Sequence, residues 1–178
     1  MANRSKQKGK EFEEYVASLI RKKWNLKKYE CHRALSSGTY KVDYSDIVFN
    51  PDNFKRPHLV IECKKRGRNE FTYNTLIYPQ GLIRPWIKQL NSAVVKYKKH
   101  FEVEPLPLLV MATDKMHPLV LIDTCYLKDL KVNPQRWNLQ ISEDQILLSE
   151  FFYRIGEKQS FYGIPLQDFL TKWHLISR

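Results

Sequence analysis

The stretch HLVIECKKR, residues 58–66, opens as a buried strand and ends in charge. Side chains alternate between the two faces of a strand. Leu59, Ile61 and Cys63 therefore share one face, and Val60, Glu62 and Lys64 share the other. A carboxylate and an ammonium point the same way, one step apart. A buried carboxylate is costly unless it is paired or bound to a metal. By itself the Glu62–Lys64 spacing also suits an ordinary same-face ion pair, so its meaning depends on what surrounds it.

On the N-terminal side, YSDIVFN (44–50) alternates and stops at Pro51, which reads as a short strand. With 58–64 it could form a hairpin-like pair across the loop PDNFKRP (51–57). SSGTY (36–40) is turn-like. From Lys10 to Trp24, Phe12, Val16, Leu19 and Ile20 fall on one helical stripe. Residues 1–8 read as a flexible basic arm. On the C-terminal side, residues 84–101 repeat Trp86, Leu90, Val94, Tyr97 and Phe101 at helical spacing, with Pro85 in the first turn. LPLLVMATD (106–114) and PLVLIDTCYL (118–127) are apolar runs typical of central strands. Beyond Lys128 come the patch QILLSEFFYRI and an amphipathic helix with Leu166, Phe169, Leu170 and Trp173.

This order predicts an α/β (α+β-like) fold, with a central mixed β-sheet flanked by helices. The 178 residues suit a single domain, with a core over about 8–127 and a C-terminal extension over 128–178. Hydrophobic residues make up 43% of the chain, enough for a real core. No run of about 18 apolar residues occurs, so no membrane partner is expected. MANRSKQKGKEFEEYV has no apolar h-region, so no secretory signal is expected. The cysteines, Cys31, Cys63 and Cys125, are odd in number and form no C-x-x-C pair. Neither a disulfide framework nor a structural zinc site is expected, and a reducing, intracellular (cytoplasmic) setting is.

The net charge of +11 lies in two blocks. Residues 1–28 carry nine Lys/Arg against three Asp/Glu, and residues 54–100 carry eleven against two. The rest is mildly acidic. That is the footprint of a polyanion binder, and a charge run alone fits a solvated, merely basic surface equally well.

Three carboxylates sit where apolar residues would be expected. Glu62 ends a strand, Asp46 lies within SDIVF, and Glu13 leans toward the apolar stripe of the first helix. Individually, Asp46 could cap a turn and Glu13 could complement a helix dipole. Together, in a basic chain and beside Lys64, they suggest a shared site. Carboxylate oxygens are the hard ligands that Mg²⁺ and Mn²⁺ prefer. A divalent ion would relieve the repulsion among them. It would also polarise a phosphate and lower the pKa of a bound water. Lys64 could position or deprotonate that water, or neutralise charge building on the phosphate.

GKEFEEYVASLI, SSGTYKVDYSDIVF and HLVIECKKR, in that order, resemble the PD-(D/E)xK nuclease superfamily. Within it, KGKEFEEYV, SSG, SDIV and IECKK are most similar to the archaeal-type Holliday junction resolvases. The resemblance covers roughly residues 8–113. It implies a restriction-endonuclease-like core and a metal-dependent endodeoxyribonuclease using Mg²⁺, with Mn²⁺ able to substitute. Glu13 would be the helical carboxylate, reaching the metal through water. Asp46 and Glu62 would be the main ligands, completed by the Cys63 backbone carbonyl, and Lys64 would be the catalytic lysine. Ser37 and Gly38 would lie in a substrate-facing loop, and Gln89 falls where some members carry an active-site glutamine. The chain departs from the pattern in having Ser45 where the family has proline, and Asp43 competes with Asp46 for the aspartate.

Lys6, Lys8, Lys10, Lys65, Arg66 and Arg68 surround this proposed site in sequence and would contact DNA phosphates. Nothing reads base sequence, which favours structure-selective binding. The substrate expected is branched or four-way DNA, as in recombination and repair. Symmetric cuts there imply a homodimer, with QILLSEFF or the C-terminal helix as its interface. A cellular or a virus-encoded protein acting in a host cell fits equally. The alternatives are a restriction-type endonuclease, a repair exonuclease, a DNA-binding protein with a degenerate site, or a ribonucleoprotein-type basic protein. The complete acidic set with Lys64 argues against the degenerate site, since a non-catalytic descendant gains nothing from costly carboxylates, and the ribonucleoprotein-type protein would bind without any metal dependence.

Overall fold

The computed structural model describes residues 2–34, 44–50, 58–67, 83–114, 117–126, 139–142, 145–148, 151–155 and 159–176. Its elements are α1 (Ala2–Trp24), β1 (Cys31–Arg33), β2 (Ile47–Phe49), β3 (Leu59–Arg66), α2 (Ile83–Phe101), β4 (Leu106–Thr113), β5 (Leu119–Asp123), β6 (Leu139–Ser142), β7 (Gln145–Leu148), β8 (Phe151–Ile155), β9 (Gln159–Pro165) and α3 (Leu166–Ile176). A 3₁₀ turn, Thr124–Tyr126, follows β5.

Five strands form the main sheet, in the order β3-β4-β5-β9-β8. β3 and β4 are parallel, joined through α2, and the other pairs are antiparallel. Parallel neighbours need a crossover of this kind, because no tight turn can join them. The strands alternate between two cores. Ile61, Leu108, Val110, Val120, Ile122 and Tyr162 pack on one side with Val16 and Ile20 of α1 and Phe169 and Leu170 of α3. Val60, Leu109, Met111, Leu119 and Leu121 pack on the other side with Ile83, Trp86, Ile87 and Leu90 of α2. Every residue of β4 is buried, as an apolar run covered on both faces requires. The fold is α+β with a mixed sheet between helices, consistent with a restriction-endonuclease-like core. Among the described residues, no helix is long and apolar enough to cross a membrane.

Three local expectations need correction. Residues 2–8 are not a loose arm but the first turns of α1. Lys and Gln are good helix formers, Gln7 Nε2 donates to Glu11 Oε1 at 3.0 Å, one turn on, and Lys8 pairs with Asp114. Segments 44–50 and 58–64 do not form a hairpin. β2 is three residues long and pairs antiparallel with β1, which the sequence reading did not single out. The C-terminal helix does not leave its apolar face for a partner copy. Leu166, Phe169 and Leu170 are buried in the chain's own core, and Trp24 Nε1 donates to the Leu170 carbonyl at 3.1 Å. β9 likewise sits inside the main sheet, so part of the segment set apart as an extension builds this core. The side chains of QILLSEFF, like Trp173, lie outside the described residues.

Candidate active site

The site grows from the outer edge of β3. β3 ends the sheet, so the backbone groups on its far side meet no neighbouring strand. Ser45 and Asp46, in the bend just before β2, fill that edge. Asp46 N–H donates to the Ile61 carbonyl at 2.8 Å, and Cys63 N–H donates to Asp46 Oδ2 at 2.7 Å. Ser45 Oγ accepts from Ile61 N–H at 2.8 Å and stands 3.1 Å from the Ile61 carbonyl. Asp46 is thus moored to the strand that carries Glu62.

Glu62 is only 5% exposed, and its partner is the neighbour foreseen: Lys64 Nζ donates to Glu62 Oε1. α1 supplies Glu13, whose side chain is 20% exposed and whose Oε2 lies 3.5 Å from Arg33 Nη1. The same Arg33 nitrogen donates to the Ala34 carbonyl at 2.8 Å. Glu14, one residue on, turns away to Arg21 Nη2 at 2.7 Å.

The electrostatics tie these groups into one unit. Burial pushes the Glu62 carboxyl above its usual range, and the Asp46 charge adds to that, while Lys64 pulls it back. Burial also raises Asp46, against the Cys63 N–H bond, Lys64 and Arg33. Glu13 is raised by burial and then by Asp46, opposed chiefly by Arg33. Three carboxylates crowded out of water in this way favour a positive charge among them. The Cys63 thiol is not a candidate ligand. It packs in the core on the α1 side, and burial holds its pKa well above the ordinary thiol value. The Cys63 carbonyl, however, leaves β3 on the same edge as its N–H, toward Asp46.

Among the described residues, no three His, Cys, Asp or Glu side chains are close enough to hold an ion by themselves. Mg²⁺ does not require that: it is usually held by one or two carboxylates and several waters. Among the described residues, Asp46 and Glu62 each have one oxygen engaged by a neighbour and a second with no partner. By donor type, these two carboxylates and the Cys63 carbonyl are the hard oxygens that such an ion takes.

Glu13, Asp46, Glu62 and Lys64 are brought together. Gln89 is exposed on α2, whose buried residues Trp86, Ile87 and Leu90 face the core. Ser37, Gly38, Asp43 and Arg68 lie outside the described residues. Lys6 and Lys10 are exposed on α1. Lys8 and Lys65 each approach Asp114 at 3.4 Å, an exposed link between α1 and the end of β3. Such surface pairs are weak, so both lysines can exchange a carboxylate for a phosphate. Arg66 stacks on the Trp86 ring at 5.7 Å, and Trp86 is otherwise core.

Sequence reasoning missed Arg33 and the use of Ser45. Arg33 had a signal: in CHR it shares a strand face with Cys31, which is fully buried. An arginine on a buried face needs a carboxylate nearby. Ser45 had none, because a serine before an aspartate is common in turns.

The family model described as "Phage putative PDDEXK endonuclease" matches residues 4–155. That span runs from the first turn of α1 through β8 and includes all four clustered residues. Neither the curated proteins nor the solved structures yield a match. With most of its length matched, the chain belongs to this phage PD-(D/E)xK endonuclease family.

Proposed function

We propose that the protein is a divalent-metal-dependent endonuclease that hydrolyses phosphodiester bonds in DNA, with branched, four-way junctions as its substrate. The observation that carries the first part is the grouping of Glu13, Asp46 and Glu62, all with raised pKa values, around Lys64. Asp46, Glu62 and the Cys63 carbonyl would hold Mg²⁺ or Mn²⁺, with Glu13 reaching it through water. Such an ion supplies Lewis-acid charge on the phosphate and a more acidic water. Lys64, held beside Glu62, would place Nζ where it could hold the attacking water or neutralise charge building on the phosphate oxygens. Arg33 holds Glu13 in place and offsets the negative charge of the site. Lys6, Lys8, Lys10, Lys65 and Arg66 bind the DNA backbone.

The junction substrate rests on the similarity of KGKEFEEYV, SDIV and IECKK to archaeal-type resolvases and on a basic surface with no base-reading element. Two symmetric cuts then require a two-fold homodimer.

A labelled four-way junction is compared with its matching linear duplex, with Mg²⁺ or EDTA. Paired symmetric nicks in the junction alone, abolished by EDTA, are expected. Equal cutting of the duplex would keep the nuclease and discard the junction. Sparing of circular DNA would make it an exonuclease. Tight binding without cutting in Mg²⁺ or Mn²⁺ would leave a DNA-binding protein. Sedimentation with and without junction DNA tests the dimer, and a monomer in both would end it.

A further inference from the structure

Ser45 stands where the related motif has proline, and its hydroxyl is engaged on both sides by a single residue of β3. Ile61 N–H donates to Ser45 Oγ at 2.8 Å, and Ser45 O–H donates back to the Ile61 carbonyl at 3.1 Å. A hydroxyl has one proton to give and lone pairs to receive, so both bonds are compatible. The next residue continues the contact, with Asp46 N–H on the same Ile61 carbonyl and Asp46 Oδ2 on Cys63 N–H. Four hydrogen bonds therefore lock two consecutive residues onto the open edge of β3. That edge carries Glu62 between the two residues that are held, Ile61 and Cys63.

A proline at 45 would have neither a hydroxyl nor an N–H. It would restrict its own φ but leave Ile61 N–H without this acceptor at a sheet edge. In this chain the restriction comes from hydrogen bonds instead of a ring.

We infer that Ser45 is a positioning residue: its hydroxyl sets the Asp46 carboxylate in register with Glu62 and the Cys63 carbonyl. The inference rests on the nuclease reading above. Removing the hydroxyl leaves the two Asp46 bonds in place, so the carboxylate loosens without being lost. Small displacements of a reacting or ligating group have large effects on rate, and the cost of leaving Ile61 N–H without its acceptor is read separately, in Tm.

The test uses the full-length chain as wild type, Ser45→Ala, Ser45→Thr and Ser45→Pro. Three readouts apply: exchange of the Cys63 amide proton in metal-free protein, calorimetric binding of Ca²⁺ alone, and kcat and KM for DNA cleavage in Mg²⁺. Ser45→Ala is expected to exchange the Cys63 amide faster, to bind Ca²⁺ about tenfold more weakly and to lose about tenfold in kcat at unchanged KM. Ser45→Thr restores all three, and Ser45→Pro behaves like Ser45→Ala. Wild-type kcat and Ca²⁺ affinity in Ser45→Ala would overturn the role of Ser45, even if its Tm fell. A wild type that neither cuts DNA nor binds Ca²⁺ would overturn the nuclease reading and the inference with it.

Discussion

Asp46 sits where burial disfavours its charge. It is half-buried, shares its surroundings with Glu62 and Glu13, and accepts the Cys63 N–H. All three carboxyls are raised by burial above the values they would have in the unfolded chain. In the pH window between the ordinary carboxyl range and these raised values, the folded state binds more protons than the unfolded state. Stability therefore falls as pH rises through that window and stays lower above it. Metal-free protein is expected to become more stable on mild acidification from neutral pH, before general acid unfolding begins. Asp46→Asn removes one charge, while its amide oxygen can still accept the Cys63 N–H. It is expected to raise the metal-free Tm at neutral pH by about 2–4 °C, the shift that about 1 kcal/mol makes in a domain of this size. It should also reduce the gain on acidification. A Tm below wild type from neutral to mildly acid pH would show that the carboxylates are not strained. At this scale Glu62, Lys64, Asp46 and Glu13 were legible as residues out of place in apolar patterns. Ser45 was not, because its significance lies in contacts with Ile61, distant in sequence, and Arg33 showed only in its place on the face of Cys31.

At the scale of elements, periodicity found α2 and β4 nearly to the residue, since each has a core-facing pattern and a clear stop, whereas the apolar run 118–127 contains β5 but overshoots its end at Asp123 by four residues. It failed where tertiary contacts decide. β1 is only three residues long and gains its pairing from β2, and the first turns of α1 lack an apolar stripe of their own. Helix ends also depend on backbone geometry that composition does not reveal. α1 is followed by Asn25 at φ 54° and α2 by Glu102 at φ 56°. Asn tolerates this left-handed region, but for Glu it costs roughly 1–2 kcal/mol. Glu102 N–H nevertheless donates to the Lys98 carbonyl at 2.9 Å, so the conformation is needed to close the helix. Glu102→Gly is expected to stabilise the protein by up to about 1 kcal/mol, read as a higher denaturant midpoint at constant slope. A lower midpoint would mean that the Glu102 side chain makes a compensating contact.

Across the whole molecule, the sheet places chemistry at one border. Its interior strand β4 is buried on both faces, and the edge strand β3 presents backbone groups, a carboxylate and a lysine to one place. α1 on one side brings Glu13 and exposed lysines to that border, and Asp114 links Lys8 to Lys65 across it. Lys8 of the first basic block and Lys65 of the second thus meet at Asp114. The C-terminal strand β9 and helix α3 close the same core from behind, a role hidden in the sequence because their apolar residues resemble any unpartnered face. The most direct measurement is DNA cleavage in Mg²⁺ by wild type and Glu62→Gln, at equal DNA occupancy and with Tm as a control for folding. Glu62→Gln keeps the shape of the side chain and removes its charge. The expected result is a loss of at least about 10²-fold in cleavage with DNA binding retained. Cleavage by folded Glu62→Gln at the wild-type rate would contradict the assignment of this border of the sheet as the active site.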